Sequence, residues 1–155
     1  RKSFYEKFDY VMQDDYIYDN TIKHNIELYK SYDESDKKKA TQKAELFDTI
    51  EKLDKKYDTI IGDNGIKLSG GQKQRLILSR NIVTNPNILI IDNGFTGLDI
   101  DTCKKVVENL SNRNNNTTLI VISSMIEDIK NADTIYKLEN KTLVEMKIEE
   151  EVYDA

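Results

Sequence analysis

Ile88-Leu89-Ile90-Ile91-Asp92, and further on Leu119-Ile120-Val121-Ile122 followed by Ser123-Ser124, are the stretches on which the fold turns. Each begins as a short unbroken apolar run dominated by β-branched residues. Runs of this kind, without polar alternation, are expected of strands covered on both faces, which means parallel strands in an α/β sheet. Between them Cys103, Val106, Val107 and Leu110 fall at i, i+3, i+4 and i+7, the face of a helix, and the asparagine-rich stretch 112–116 stops it. Strand, helix and strand within about 35 residues make a βαβ unit.

The rest of the chain is read outward from that unit. A helix is predicted from about Gly71 to Thr84, ended by the breaker Asn85-Pro86-Asn87. Before it, Gly62, Asp63, Asn64 and Gly65 mark a loop. Residues 33–56 are dense in charge. Ala40, Ala44, Phe47, Ile50 and Leu53 recur within them at helical spacing, so a solvated helical pair with one apolar face is expected. Residues 8–13 form a short extended stretch. Residues 135–138 and 142–146, separated by Glu139-Asn140-Lys141, read as a terminal hairpin, and 149–155 as an acidic tail.

Composition bounds the function. At 155 residues the chain is about one domain in size. It is 38% hydrophobic and 33% charged, polar but not depleted enough for disorder. A net charge of −5 argues against nonspecific nucleic-acid binding, because no basic excess neutralises phosphates. One cysteine excludes an internal disulfide framework, and one histidine with one cysteine cannot build a His/Cys zinc site. No apolar run approaches the ~20 residues that span a bilayer, so direct membrane insertion is not expected. The chain starts at Arg1 rather than Met, so it is expected to belong to a longer polypeptide.

Three local patterns carry chemistry. Leu68-Ser69-Gly70-Gly71-Gln72 opens the predicted helix, with Ser69 and Gln72 spaced as a capping box. The box does not account for two glycines in the first turn, each costing ~1 kcal/mol against alanine. Glycines there suit an anion that approaches the backbone N–H groups at the positive end of the helix. Asp92 ends a parallel strand, in the crevice where α/β sheets bind ligands and where a carboxylate can hold the Mg²⁺ of a nucleotide, or it simply starts the Asn93-Gly94 turn. Asp99, in Thr96-Gly97-Leu98-Asp99, is expected to cap the next helix.

Taken in order, these motifs resemble the nucleotide-binding domain of ATP-binding cassette (ABC) proteins, over nearly all of the chain. Leu68-Ser69-Gly70-Gly71-Gln72 matches the ABC signature letter for letter, Ile88–Asp92 resembles the Walker B strand, and residues 96–99 resemble the D-loop. Val11-Met12-Gln13-Asp14 is similar to the Q-loop. Residues 20–26 and 59–65 resemble the segments that follow the Q-loop and precede the signature in exporters, with Asp63 where glutamate is usual. Residues 131–133 and 138–145 resemble the stretch after the switch loop.

The resemblance implies a P-loop NTPase-like α/β fold: a parallel sheet with a helical signature subdomain, its N-terminal part missing. It implies a helical subdomain at about 21–84 and a core sheet at 85–148. ATP and Mg²⁺ are the implied cofactors. Ser69, Gly70, Gly71, Gln72 and Asp99 are implied at the nucleotide, Asp92 and Gln13 at the metal, and Gln13 also at the reaction. The implied partners are a second cassette and the transmembrane domain of an exporter, on the cytoplasmic side of a membrane.

Three departures modify this expectation. No Gly-x-x-x-x-Gly-Lys-Ser/Thr occurs, so the P-loop is expected upstream of Arg1. Asn93 stands where the family has the glutamate that polarises water, and Ser124 stands where it has the switch histidine. An amide accepts no proton at neutral pH, and a serine hydroxyl is shorter than imidazole. The expectation is a degenerate half that completes a partner's ATP site and serves its own poorly. A non-catalytic structural or regulatory partner, and a truncated inactive fragment, remain as alternatives. A soluble DNA-repair-type ATPase is disfavoured by the acidic charge and the lack of sustained heptads. With the strand that precedes the P-loop absent, the edge of Leu119-Ile120-Val121-Ile122 is expected to be unpaired and sticky.

Overall fold

The computed structural model describes residues 8–12, 15–112 and 117–146. Three strands, β1 (Phe8–Val11), β2 (Ile88–Asp92) and β3 (Thr118–Ile122), form a parallel sheet in that order. Register pairs Tyr10 with Ile90 and Asp92 with Ile122, so the carboxyl ends of the strands lie together. A separate antiparallel hairpin joins β4 (Ile135–Glu139) to β5 (Thr142–Met146). Its turn places Asn140 and Lys141 at φ 47° and 65°, the twist that two-residue hairpin loops require.

Five α-helices accompany these strands among the described residues. They are α1 (Ile22–Glu27), α2 (Glu34–Lys43), α3 (Phe47–Glu51), α4 (Gly70–Ile82) and α5 (Ile100–Ser111). The expected helix α4 begins one residue early and ends at Ile82, before Asn85-Pro86. Helix α5 buries Cys103, Val106 and Leu110, as its spacing predicts, and ends at the Asn112 cap. Residues 113–116 and the tail 149–155 lie outside the described residues. The core joins both halves: Leu76, Leu78, Leu89, Ile91, Val106 and Ile50 are all buried in one cluster.

Two expectations are revised. Strand β2 buries Leu89 and Ile91 on one face and leaves Ile88 and Ile90 half-buried on the other. On β3 the outer face is open, with Ile120 43% and Ile122 49% exposed. An unbroken apolar run reports only that both faces can be buried; which one is buried depends on neighbours that the run does not encode. The charge run 33–56 keeps the expected helical pair with an apolar face, Ala40, Ala44 and Ile50 being buried, but one of its charges is not solvated. Lys37 is only 2% exposed and pairs with Glu27 and Glu34, each at 2.7 Å.

Candidate functional site

The start of α4 is a complete capping box. Ser69 Oγ accepts from the Gln72 N–H at 3.3 Å, and Gln72 Oε1 accepts from the Ser69 N–H at 3.0 Å. The Lys73 N–H reaches the Ser69 carbonyl at 2.9 Å. That leaves the N–H groups of Gly70 and Gly71 as the donors of the first turn that the box does not use. The cap and the anion-site readings are therefore compatible, because they use different amides. Ser69 and Gly70 are exposed, and a Cβ placed on Gly70 meets nothing within 4 Å.

Gly71 has a different reason for being glycine. A Cβ there would stand 2.9 Å from the Gly97 carbonyl oxygen and 3.5 Å from Leu98 Cδ2. The tip of α4 thus rests on the loop after Asp92, its outer side open. Asp99 leaves that loop as the N-cap of α5, accepting from the Thr102 N–H at 2.9 Å and the Thr102 hydroxyl at 2.7 Å. The Thr102 hydroxyl, its amide and the nearby Arg75 guanidinium hold the Asp99 carboxyl below its ordinary range. Arg75 braces the tip from within the helix, donating to the Gly71 and Glu45 carbonyls.

A second group sits at the carboxyl edge of the sheet. Asp92 ends β2, and the Asn93 N–H bonds the Ile122 carbonyl at 2.9 Å, which holds residues 92–93 beside the end of β3. Ser124, two residues beyond β3, is exposed. Asn93 adopts φ 49°, a left-handed conformation that asparagine tolerates better than most side chains. Its Nδ2 donates to Asp92 Oδ1 at 3.4 Å, and its carbonyl accepts from the Thr96 hydroxyl at 2.8 Å. Gly94 must stay bare, because a Cβ there would meet Ile91 Cγ2 at 2.4 Å. Gln13 lies outside the described residues, although β1 runs out at this edge just before it.

Sequence reading missed two partners here. The Tyr10 hydroxyl donates to Asp92 Oδ2 at 2.7 Å, and this bond raises the phenol's pKa above its ordinary value. Asp128 accepts from Cys103 Sγ at 3.3 Å and from the Ser123 hydroxyl at 2.5 Å, fastening the segment beside Ser124 to α5. Burial, and then Asp128, push the Cys103 thiol up to about 12. Neither bond has a local sequence signal: the first spans 82 residues and the second 25.

These two groups share a chain with 35% identity, over 94% of its length, to the beta-(1→2)glucan export ATP-binding/permease protein NdvA of Bartonella bacilliformis. The ABC transporter family model matches residues 1–96. The chain belongs to the ABC transporter family. It is also 36% identical, over 92% of its length, to the ABC-type transporter kk1G of Curvularia clavata. Its fold matches a bacterial Atm1-family ABC exporter, whose structure has ATP bound, at a TM-score of 0.83 and 31% identity over 92% of this chain. The chain covers 24% of NdvA, 11% of kk1G and 25% of the Atm1-family chain, so it spans a quarter or less of these ABC relatives. It is an export-type ABC nucleotide-binding cassette in fold and family. No helix among the described residues is long and apolar enough to cross a membrane.

The cofactors of an ABC cassette can be tested against these residues. A terminal phosphate fits the tip of α4, where Ser69 and Gly70 are exposed and two amides at the positive helix end are left over by the capping box. A divalent cation fits less well. Among the described residues no group of three or more His, Cys, Asp or Glu side chains could hold one. Both oxygens of Asp92 already accept from the chain's own donors.

Proposed function

We propose that this chain is the ATP-binding part of an export-type ABC transporter, and that it works as the degenerate half of a cassette pair. Its intact signature, Ser69 to Gln72, grips the terminal phosphate of an ATP held mainly by a second cassette. Its own half-site, with Asn93 and Ser124 in place of glutamate and histidine, hydrolyses poorly. The observation that carries this is the tip of α4: Ser69 and Gly70 are exposed, a Cβ on Gly70 would meet nothing within 4 Å, and Gly71 packs on residues 97–98. Asp99 holds that neighbouring loop in place as the cap of α5.

At its own sheet edge, Asn93 can orient a water but take no proton from it. Asp92 faces the same crevice, and no step of this reading runs through Mg²⁺. Exposed aromatic and aliphatic side chains at Tyr16, Tyr29, Ile60 and Ile66 offer a docking face for the exporter's transmembrane domain, with the cassette on the cytoplasmic side of the membrane. Asn25, fully buried beneath this region, fixes the backbone of Tyr18 and Thr21 and takes part of the Arg80 guanidinium.

Ser69→Arg and Gly70→Asp place bulk, and in the second case negative charge, where the phosphate docks. Both are expected to fold and to lose nucleotide-dependent association of the cassettes, measured by light scattering with and without ATP. Undiminished association would reduce the glycines to parts of a helix cap. Asn93→Glu with Ser124→His is expected to raise ATP turnover of the cassette pair. A pair made of two unmodified copies of this chain, already turning over at ~1 s⁻¹ or more, would end the degenerate reading.

A further inference from the structure

We propose that Tyr10 decides how the chain's own half-site treats a divalent cation: its phenol hydroxyl occupies the place at Asp92 through which a hydrated cation would bind. The register makes this possible. Tyr10 pairs with Ile90 on the neighbouring parallel strand, and Asp92 is two residues further on, on the same face of the sheet as Ile90. A diagonal cross-strand reach of that size suits an aromatic side chain with a polar tip.

The hydroxyl closes on Asp92 Oδ2 at 2.7 Å, while Asn93 Nδ2 takes Oδ1 at 3.4 Å. Each carboxylate oxygen thus has one neutral donor from within the chain. Burial does not explain the tyrosine, which is 37% exposed. Its hydroxyl bonds Asp92. A cation with its water shell presents the same donors to a carboxylate that the phenol presents, so the two compete for one oxygen. The second oxygen keeps free acceptor capacity, so the competition weakens cation binding rather than abolishing it. Phenylalanine at position 10 keeps the ring and removes the competitor.

The inference rests on the reading of Asp92 as the cation-side residue of a nucleotide site, and the test separates the two. The probe is Mn²⁺, and the readout is paramagnetic broadening of the Asp92 and Asn93 amide signals of the full chain in solution. Wild type, Tyr10→Phe and Asp92→Asn are compared, with matching amide spectra elsewhere showing that each is folded. Tyr10→Phe is expected to lower the Mn²⁺ concentration for half-broadening at least threefold, and Asp92→Asn to abolish the site-specific broadening. If Asp92→Asn abolishes it and Tyr10→Phe matches wild type, the role of Tyr10 is overturned and Asp92 stands. If Asp92→Asn changes nothing, the reading of Asp92 falls and the inference with it. If no variant broadens at millimolar Mn²⁺, the hydroxyl is not what keeps the cation away, and the inference is again overturned.

Discussion

Adjacent glycines at the tip of α4 should respond in opposite ways to the same methyl group. Gly70→Ala and Gly71→Ala both replace a poor helix former by the best, a gain of up to ~1 kcal/mol each. At Gly70 the new Cβ meets nothing within 4 Å, so the gain stands. At Gly71 it meets the Gly97 carbonyl at 2.9 Å, and Gly97 sits at φ 88°, where the backbone has little room to yield. Overpacking of that kind costs ~1–3 kcal/mol, leaving a net change from ~0 to a loss of ~2 kcal/mol. With ~2–4 °C of melting temperature per kcal/mol at this chain length, Gly70→Ala should melt up to ~4 °C above wild type. Gly71→Ala should melt between wild type and ~8 °C below it. Thermal unfolding followed by circular dichroism separates them. Gly70→Ala, though more stable, should associate less with a partner cassette in ATP, because its methyl enters the open space where the phosphate is proposed to dock. A Gly71→Ala chain at least as stable as Gly70→Ala would refute the packing of the tip on residues 97–98.

Other parts of the molecule are open to similar tests. Lys37→Met strands Glu27, 15% exposed, and should cost ~3 kcal/mol, with the double change Lys37→Met, Glu27→Leu recovering most of it in urea titrations. Burial pushes the Glu27 carboxyl up, but Lys37 outweighs it and holds it below its ordinary range. Its contribution is therefore present above pH ~4.3 and lost as pH falls through the lower folded value. Burial pulls Lys37 down, but its two glutamates raise it overall, so its share is present below pH ~10.4 and fades as pH rises past the folded value. Cys103, raised to about 12, should show no alkylation inflection near the ordinary ~8.5, and its stabilising share should decline from that pH upward; Asp128→Asn should bring the inflection down. The open face of β3, with Ile120 and Ile122 exposed, should make residues 1–155 alone oligomeric, and a sharp monomeric profile in light scattering would contradict this.

Much of this molecule could be read from spacing alone. Helix α5 was legible because its stripe of Cys103, Val106 and Leu110 is set by helical geometry, and β2 and β3 because short unbroken β-branched runs suit buried strands. Ser69 and Asp99 announced their caps, since capping depends on residues three apart. What was hidden depends on tertiary neighbours. Lys37 looks like one more surface charge until α1 brings Glu27 against it. The need for glycine at 94 is visible only once Ile91 Cγ2 has a position. Tyr10 reads as an ordinary strand residue, because its partner arrives on another strand.

Helix α4 has 13 residues and so is ~20 Å long. Its front end carries the spare amides, and near its rear Arg80 is bolted to the carbonyls of Asn25 and Tyr16, at 2.8 and 3.0 Å. On the proposed reading, the tip that would meet a partner's phosphate and the tyrosine-bearing loop held by Arg80 are therefore opposite ends of a single helix.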